Sequence, residues 1–169
     1  MSTVAKDLTV KGISAGARPF RVAASATRFY AGEPMNFLGT YTNGVSNTNT
    51  VVVLTDGKPV IGTDAFVGIA AKNASGTGTL VAHTTSVIVP IPMVTRISGR
   101  AKTTGNVDTD AELLGVLWDL VLFDLTSAVY TIDETGAADT SGLTIVDGDI
   151  SRQTLDVIVD PRVMRADIS

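Results

Sequence analysis

The sequence predicts a mainly β fold, a small sandwich or barrel followed by a second small β unit and preceded by an extended N-terminal arm. Two observations lead there. Short runs of Val, Ile, Leu, Phe and Thr recur along the 169 residues, and clusters of Gly, Asn, Asp, Ser and Thr separate them at the spacing of hairpins. The stretch 65–93, AFVGIAAKNASGTGTLVAHTTSVIVPIPM, shows the pattern most clearly. Phe66 to Ala71 reads as one strand, Lys72 to Gly78 as a reversal, Thr79 to Thr84 as a second strand and Val87 to Met93 as a third.

Residues 1–19 carry Lys6, Lys11 and Arg18 against Asp7, with Gly12 and Gly16 loosening the backbone, and read as the arm. Their weak alternation suits a strand added to a partner's sheet edge, with Val4, Leu8, Val10, Ile13 and Arg18 as contact candidates. A β domain is expected over 20–98, with further strands at Phe20 to Ala24, Met35 to Tyr41 and Val51 to Leu54. Asn43-Gly44 and Asp56-Gly57 accept positive φ and mark reversals, the second between Val51–Leu54 and Val60-Ile61. Thr42 to Thr50 is polar and reads as an exposed loop. Pro90 and Pro92 remove two amide donors from one side of Val87 to Pro92, which makes it an edge strand or the exit from the sheet. Val87, Val89 and Ile91 on this run are the candidates for a subunit interface.

Ser98 to Thr109 is polar and turn-rich and reads as the boundary before a second β unit at 110–165. Thr109-Asp110-Ala111-Glu112 fits a capping box, and Leu113, Leu114, Leu117, Trp118 and Val121 share a helical face. Val116 to Phe123 is nevertheless rich in strand formers, with Trp118, Leu120 and Leu122 on one face. A strand preceded by at most one helical turn is therefore expected. Ala128 to Ile132, Leu143 to Val146 and Thr154 to Val159 complete the unit, which Pro161 ends.

Composition removes several functions. With no cysteine there is neither a disulfide framework nor a thiolate site, and this chain length buries a core without staples. The formal charge is -4, against a general phosphate-binding surface, so no direct nucleic-acid partner is expected. No apolar run reaches the roughly 18 residues of a membrane span, and the first residues lack the apolar core of an export signal. Charged residues make up 18%, below the usual value of about 25%, while 44% are hydrophobic, a balance expected of a protein that buries surface against other subunits.

Motifs for chemistry are weak. His83 is the sole histidine, and Ser86 beside it lacks the G-x-S-x-G of a nucleophile elbow. Gly76-Thr77-Gly78 lacks both the third glycine and the GK[ST] of phosphate loops. Asp147-Gly148-Asp149 and Asp108/Asp110 lack the closing glutamate of a calcium loop and read as turns. Asp119 and Asp124 interrupt the most apolar segment, and both are expected to face solvent rather than pair with a cation. No catalytic residue, metal site or cofactor is assigned, and the chain is not expected to be an enzyme.

The run Phe66-Val67-Gly68-Ile69-Ala70-Ala71-Lys72-Asn73-Ala74, its small-residue turn and the strand after it, with Ala31-Gly32-Glu33-Pro34-Met35 upstream, resemble bacteriophage head decoration (capsid cement) proteins. The likeness covers about residues 20–95; the WDL, YTID and DVIVDP runs beyond Leu113 are similar in style to second β units of phage virion proteins. The resemblance implies a β-tulip-like fold and a structural virion protein that is made in the host cytoplasm and binds the outer capsid surface. Its implied partners are the major capsid protein and itself, as a homotrimer, and it implies no catalysis. A tail tube, fibre or spike module shares this composition. A carbohydrate-binding β-sandwich is the other alternative, and it requires Trp118, Tyr41 or Tyr130 on an exposed platform.

Overall fold

The computed structural model describes residues 8–22, 30–37, 41–42, 45–46, 50–72, 84–136 and 138–164. Their strands are β1 (Thr9–Lys11), β2 (Ser14–Val22), β3 (Pro34–Phe37), β4 (Tyr41–Thr42), β5 (Val45–Ser46), β6 (Thr50–Val53), β7 (Phe66–Ala70), β8 (Thr84–Pro90), β9 (Arg96–Arg100), β10 (Leu120–Thr126), β11 (Val129–Asp133), β12 (Leu143–Asp149) and β13 (Thr154–Val159). One α-helix, α1 (Asp110–Val116), precedes β10. The mainly β expectation is met.

Strands β2, β6, β3, β7 and β8 close into a barrel, while β1, β9, β13, β12, β10 and β11 form a six-stranded antiparallel sheet in that order. The sheet curls, because Ala101 just beyond β9 bridges Ile132 of β11 and the Lys102 N–H donates to the Ile132 carbonyl. Met35, Val51, Val67, Ala70 and Val87 fill the barrel. A larger core lies against the sheet, where the alternation of Leu155, Val157 and Val159 on β13 meets Val121 and Phe123 on β10 and Leu143 and Ile145 on β12.

Strand β7 belongs to both cores. Met35 pairs with Gly68 and Asn36 with Phe66, so Val67 is the extra residue of a bulge. The bulge sends Phe66 and Ile69 into the large core and Val67 and Ala70 into the barrel. Gly68 makes this possible, since its φ is +152° and a β-carbon there would strike the Ile88 carbonyl oxygen.

Several expectations change. The arm expected over 1–19 is, from Leu8 onward, strand: β1 pairs with β9 and β2 pairs with both β6 and β8. The reason is Leu8, which is 2% exposed and seats beside Gly99, where a β-carbon would lie 2.7 Å from its Cδ2 atom. Residues 1–7 lie outside the described residues. The second unit starts at β9 rather than at 110, so Ser98 to Arg100, assigned to a boundary, is sheet. Strand β8 pairs on both sides, with β2 and β7, and is no edge; the two prolines mark the exit instead.

Asp56-Gly57 turns the chain as expected, with Gly57 at φ +69°, but not into a hairpin. Lys58 bridges Phe123 and Val60 bridges Ser141, so the connection from β6 crosses to the six-stranded sheet. Tyr41 pairs with Ser46 and Thr42 with Val45, flanking Asn43-Gly44 where one loop was expected. The Thr109–Glu112 capping box forms, and the helix it starts extends to Val116, beyond the single turn expected. The following strand begins only at Leu120. The second strand of the 65–93 stretch, Thr79 to Thr84, lies outside the described residues except for Thr84.

Two backbone sites give opposite stability predictions. Gly68→Ala should lower the unfolding free energy by about 3 kcal/mol, through strain and collision with Ile88. The β10–β11 hairpin turns on Ser127 and Ala128, at φ 54° and 64°, so the double change Ser127→Asn with Ala128→Gly should add about 1 kcal/mol. Urea midpoints read both, and an unchanged Gly68→Ala midpoint would contradict the shared-wall role of β7.

Candidate functional site

The ionised side chains are used first as internal ties. Lys102 Nζ lies 2.8 Å from both Asp124 and Asp133, drawing together the ends of β9, β10 and β11. Asp124 is only 6% exposed, so it is buried with a cation, correcting the expectation that both Asp119 and Asp124 face solvent. Position 124 lies on the strand face opposite Phe123, where Lys102 and the Thr126 hydroxyl cover it, whereas Asp119 precedes the strand and is exposed. Glu134, also buried, accepts from the backbone amides of Lys102 and Thr103 and from Asn106 Nδ2, which fixes the loop before α1.

On the outer face of the sheet, Arg96 Nη1 lies 2.6 Å from Asp147 and 4.0 Å from Asp156, and Lys11 Nζ lies 2.9 Å from Asp156. Asp147-Gly148-Asp149, expected as a turn, is instead the end of β12, paired with Asp156, Leu155 and Thr154; the turn follows it, with Asp149 accepting from the Ser151 and Arg152 amides. Among the described residues no group of three or more His, Asp or Glu is arranged to hold a metal. His83 and Gly76-Thr77-Gly78 lie outside the described residues.

The arrangement that is not internal bracing lies on the same outer face. An open groove of about 560 Å³ is lined by Met93, Val94, Arg96, Trp118, Val146 and Ile158. Its floor follows from register: Ile158 of β13 pairs with Thr144 of β12, and both Val146 and Ile158 alternate with core residues on their strands. Trp118 stands on one side, just before β10, and Met93 and Val94 stand on the other, just before β9. Trp118 is 70% exposed, Met93 56% and Val94 55%.

Two of these residues have unusual backbones. Met93 has φ 61° and Trp118 φ 73°, conformations that bulky side chains rarely adopt. Backbone hydrogen bonds hold them there, from the Met93 N–H to the Val159 carbonyl at 3.0 Å and from the Trp118 N–H to the Ile145 carbonyl at 2.8 Å. Strain of about 1–3 kcal/mol at each site is thus spent on displaying a large apolar side chain to water. Trp, Met and Arg are the residue types enriched at the centres of protein interfaces, and this groove combines them over an aliphatic floor.

Of the arm contacts expected from sequence, Leu8 is buried in the protein's own core and Val10 packs against it, so neither is free to meet a partner. Ile13 at 70% exposure and Arg18 remain outside, and Val4 lies outside the described residues. The subunit-interface set changes too: Val87 fills the barrel at 0% exposure, Val89 packs on that core, and Ile91 is half-buried. Barrel closure is the reason, since a strand paired on both sides turns its apolar residues inward. Tyr130 is buried, its hydroxyl donating to the Leu54 carbonyl, which leaves Trp118 as the exposed aromatic of the two that are described.

Sequence reasoning considered Trp118 but missed Met93, Val94 and Arg96 as one site. The available signal was the apolar run continuing past Pro92; the positive φ values leave no mark in composition. The chain matches no family model, and no curated protein matches it.

The ties set the pH response. Burial raises Asp133, but hydrogen bonds from Lys102 and Thr135 outweigh it and hold the carboxyl below its ordinary value. The Gly148 amide and Arg96 lower Asp147, and Arg162 lowers Asp160. Asp124 and then Asp133 raise Lys102. Lowered carboxyls stabilise above the ordinary value near pH 4 and lose that contribution as pH falls through their folded values; raised Lys102 contributes below about pH 10.5 and loses it above. Thermal midpoints should therefore hold from about pH 5 to 9 and fall below about pH 4. Lys102→Ala should cost on the order of 2 kcal/mol at pH 7, less than a fully buried pair because Lys102 is 38% exposed, and should flatten the acid limb.

Proposed function

We propose that this chain is a structural virion protein that binds the outer surface of a phage capsid and acts by contact, without catalysis. The resemblance of residues 66–74 to decoration proteins supplies the partner. The observation that carries the reading is how the described surface is used: ionised groups tie strands and loops together, while Ile13, Met93, Val94, Leu114 and Trp118 stand in water. Such exposure is the signature of a protein that functions with its surface covered by another.

The capsid contact is assigned to the N-terminal end. Strand β1 is at the margin of the six-stranded sheet, so its outer edge offers backbone groups to an added strand, with exposed Ile13 immediately after it. Residues 2–7, including Val4, are assigned to the same contact.

Deleting residues 2–7, or introducing Ile13→Asp, should reduce recovery on purified heads at least tenfold without moving the thermal midpoint. A deletion reaching residue 15 should unfold the chain instead, because it removes Leu8, β1 and the start of β2; loss of a buried Leu side chain alone costs about 3 kcal/mol. Gold labelling of intact particles over the whole head supports the reading, and labelling confined to the tail replaces it with the tail-module alternative.

A further inference from the structure

We infer that the Met93–Trp118 groove is the surface through which this chain binds a second copy of itself. The inference rests on reading that face as protein-binding, and it names the occupant. The apolar side chains form a stripe across the outer face of the six-stranded sheet. Val94 and Met93 stand at one end, Ile158 and Val146 form the floor, and Trp118 stands at the other end.

Three features favour a second copy. The first is charge. The chain carries -4 overall, yet Arg96 in the groove is balanced by Asp147, and neighbouring Lys11 by Asp156. Two identical neutral faces meet without repulsion, whereas an acidic partner would compete with Asp147 for Arg96 and with Asp156, which is 8% exposed, for Lys11. The second is shape. The stripe carries both projecting side chains, Trp118 and Met93, and a recessed floor, so a rotated copy can set its indole over Val146 and Ile158 while receiving the partner's indole in return.

The third feature is area. Met93 and Val94 each offer on the order of 100 Å² of apolar surface at their exposures and the Trp118 indole more, roughly 350 Å² together. A standard interface takes about 800 Å² from each partner, slightly more than half of it apolar. The stripe therefore supplies the apolar centre of one such interface, and the Arg96–Asp147 and Lys11–Asp156 pairs supply polar groups at its rim.

Trp118 is the sole tryptophan, so its emission reports the groove directly. Sedimentation and light scattering of the full chain across 0.5–50 µM, a range on the order of common dimer affinities, should show mass rising to a multiple of the 17.5 kDa chain, with Trp118 emission shifting to the blue in step. Val146→Arg keeps the reporter; it should weaken association at least tenfold and hold emission red at every concentration, with an unchanged thermal midpoint showing that the fold survives. Trp118→Ala should weaken association equally. A chain that stays monomeric with concentration-independent emission overturns the inference, as does an oligomer indifferent to both substitutions. If the monomeric chain loses head binding on Trp118→Ala, the face is still protein-binding and only its occupant was misassigned; if neutral oligosaccharides alone shift the emission, both statements fail.

Discussion

The large core that joins the barrel to the six-stranded sheet is the constraint on which the rest of the molecule depends. Phe66 from β7 meets Phe123 from β10 with ring centroids 6.1 Å apart, and the Tyr130 hydroxyl of β11 donates to the Leu54 carbonyl at the end of β6. Burial of each large apolar side chain contributes about 1.5–3 kcal/mol, so Leu54, Phe66 and Ile69 give the barrel a substantial part of its stability from the neighbouring sheet. Neither unit holds all of its core within its own strands. The N-terminal segment makes the same connection along the chain, since β1 lies in the sheet and β2 closes the barrel, with only Gly12 and Ile13 between them.

This shared core organises the surface. Because β7 is buried on both sides and β8 is paired on both sides, Val67, Ile69 and Val87 are committed to the interior. Among the described residues the large apolar side chains left exposed lie outside the strands: Ile13 between β1 and β2, Met93 and Val94 between β8 and β9, and Leu114 and Trp118 in and after α1. The charged residues brace those connections, with Glu134 holding the loop before α1 and Asp147 holding Arg96 across the groove floor. Exposed apolar groups on short, braced connections suit the proposed role of acting by contact.

Much of the fold was legible in the sequence, because its strands follow local rules. Thr154 to Val159 was placed at its observed bounds by β-branched alternation before a proline, and Thr109 to Glu112 was recognised as a capping box by its residue types alone. What escaped depended on distant partners. Leu8 is buried because Gly99, ninety-one residues away, leaves room for it, and no local pattern separates that leucine from one on a free arm. Asp124 is buried with Lys102, which reaches it from the segment just beyond β9. The groove was the least legible feature: its two display positions depend on positive φ at Met93 and Trp118, and its floor exists only once β12 and β13 are in register.

The shared core makes barrel and sheet one cooperative unit from which the exposed apolar connections are displayed. Urea unfolding followed by Trp118 emission, which reports the sheet, and by amide exchange of β7 and β8, which reports the barrel, tests it most directly. One cooperative unit gives a single midpoint and slope for both probes. Barrel amides that open well before the Trp118 signal moves would contradict it, showing two separable domains.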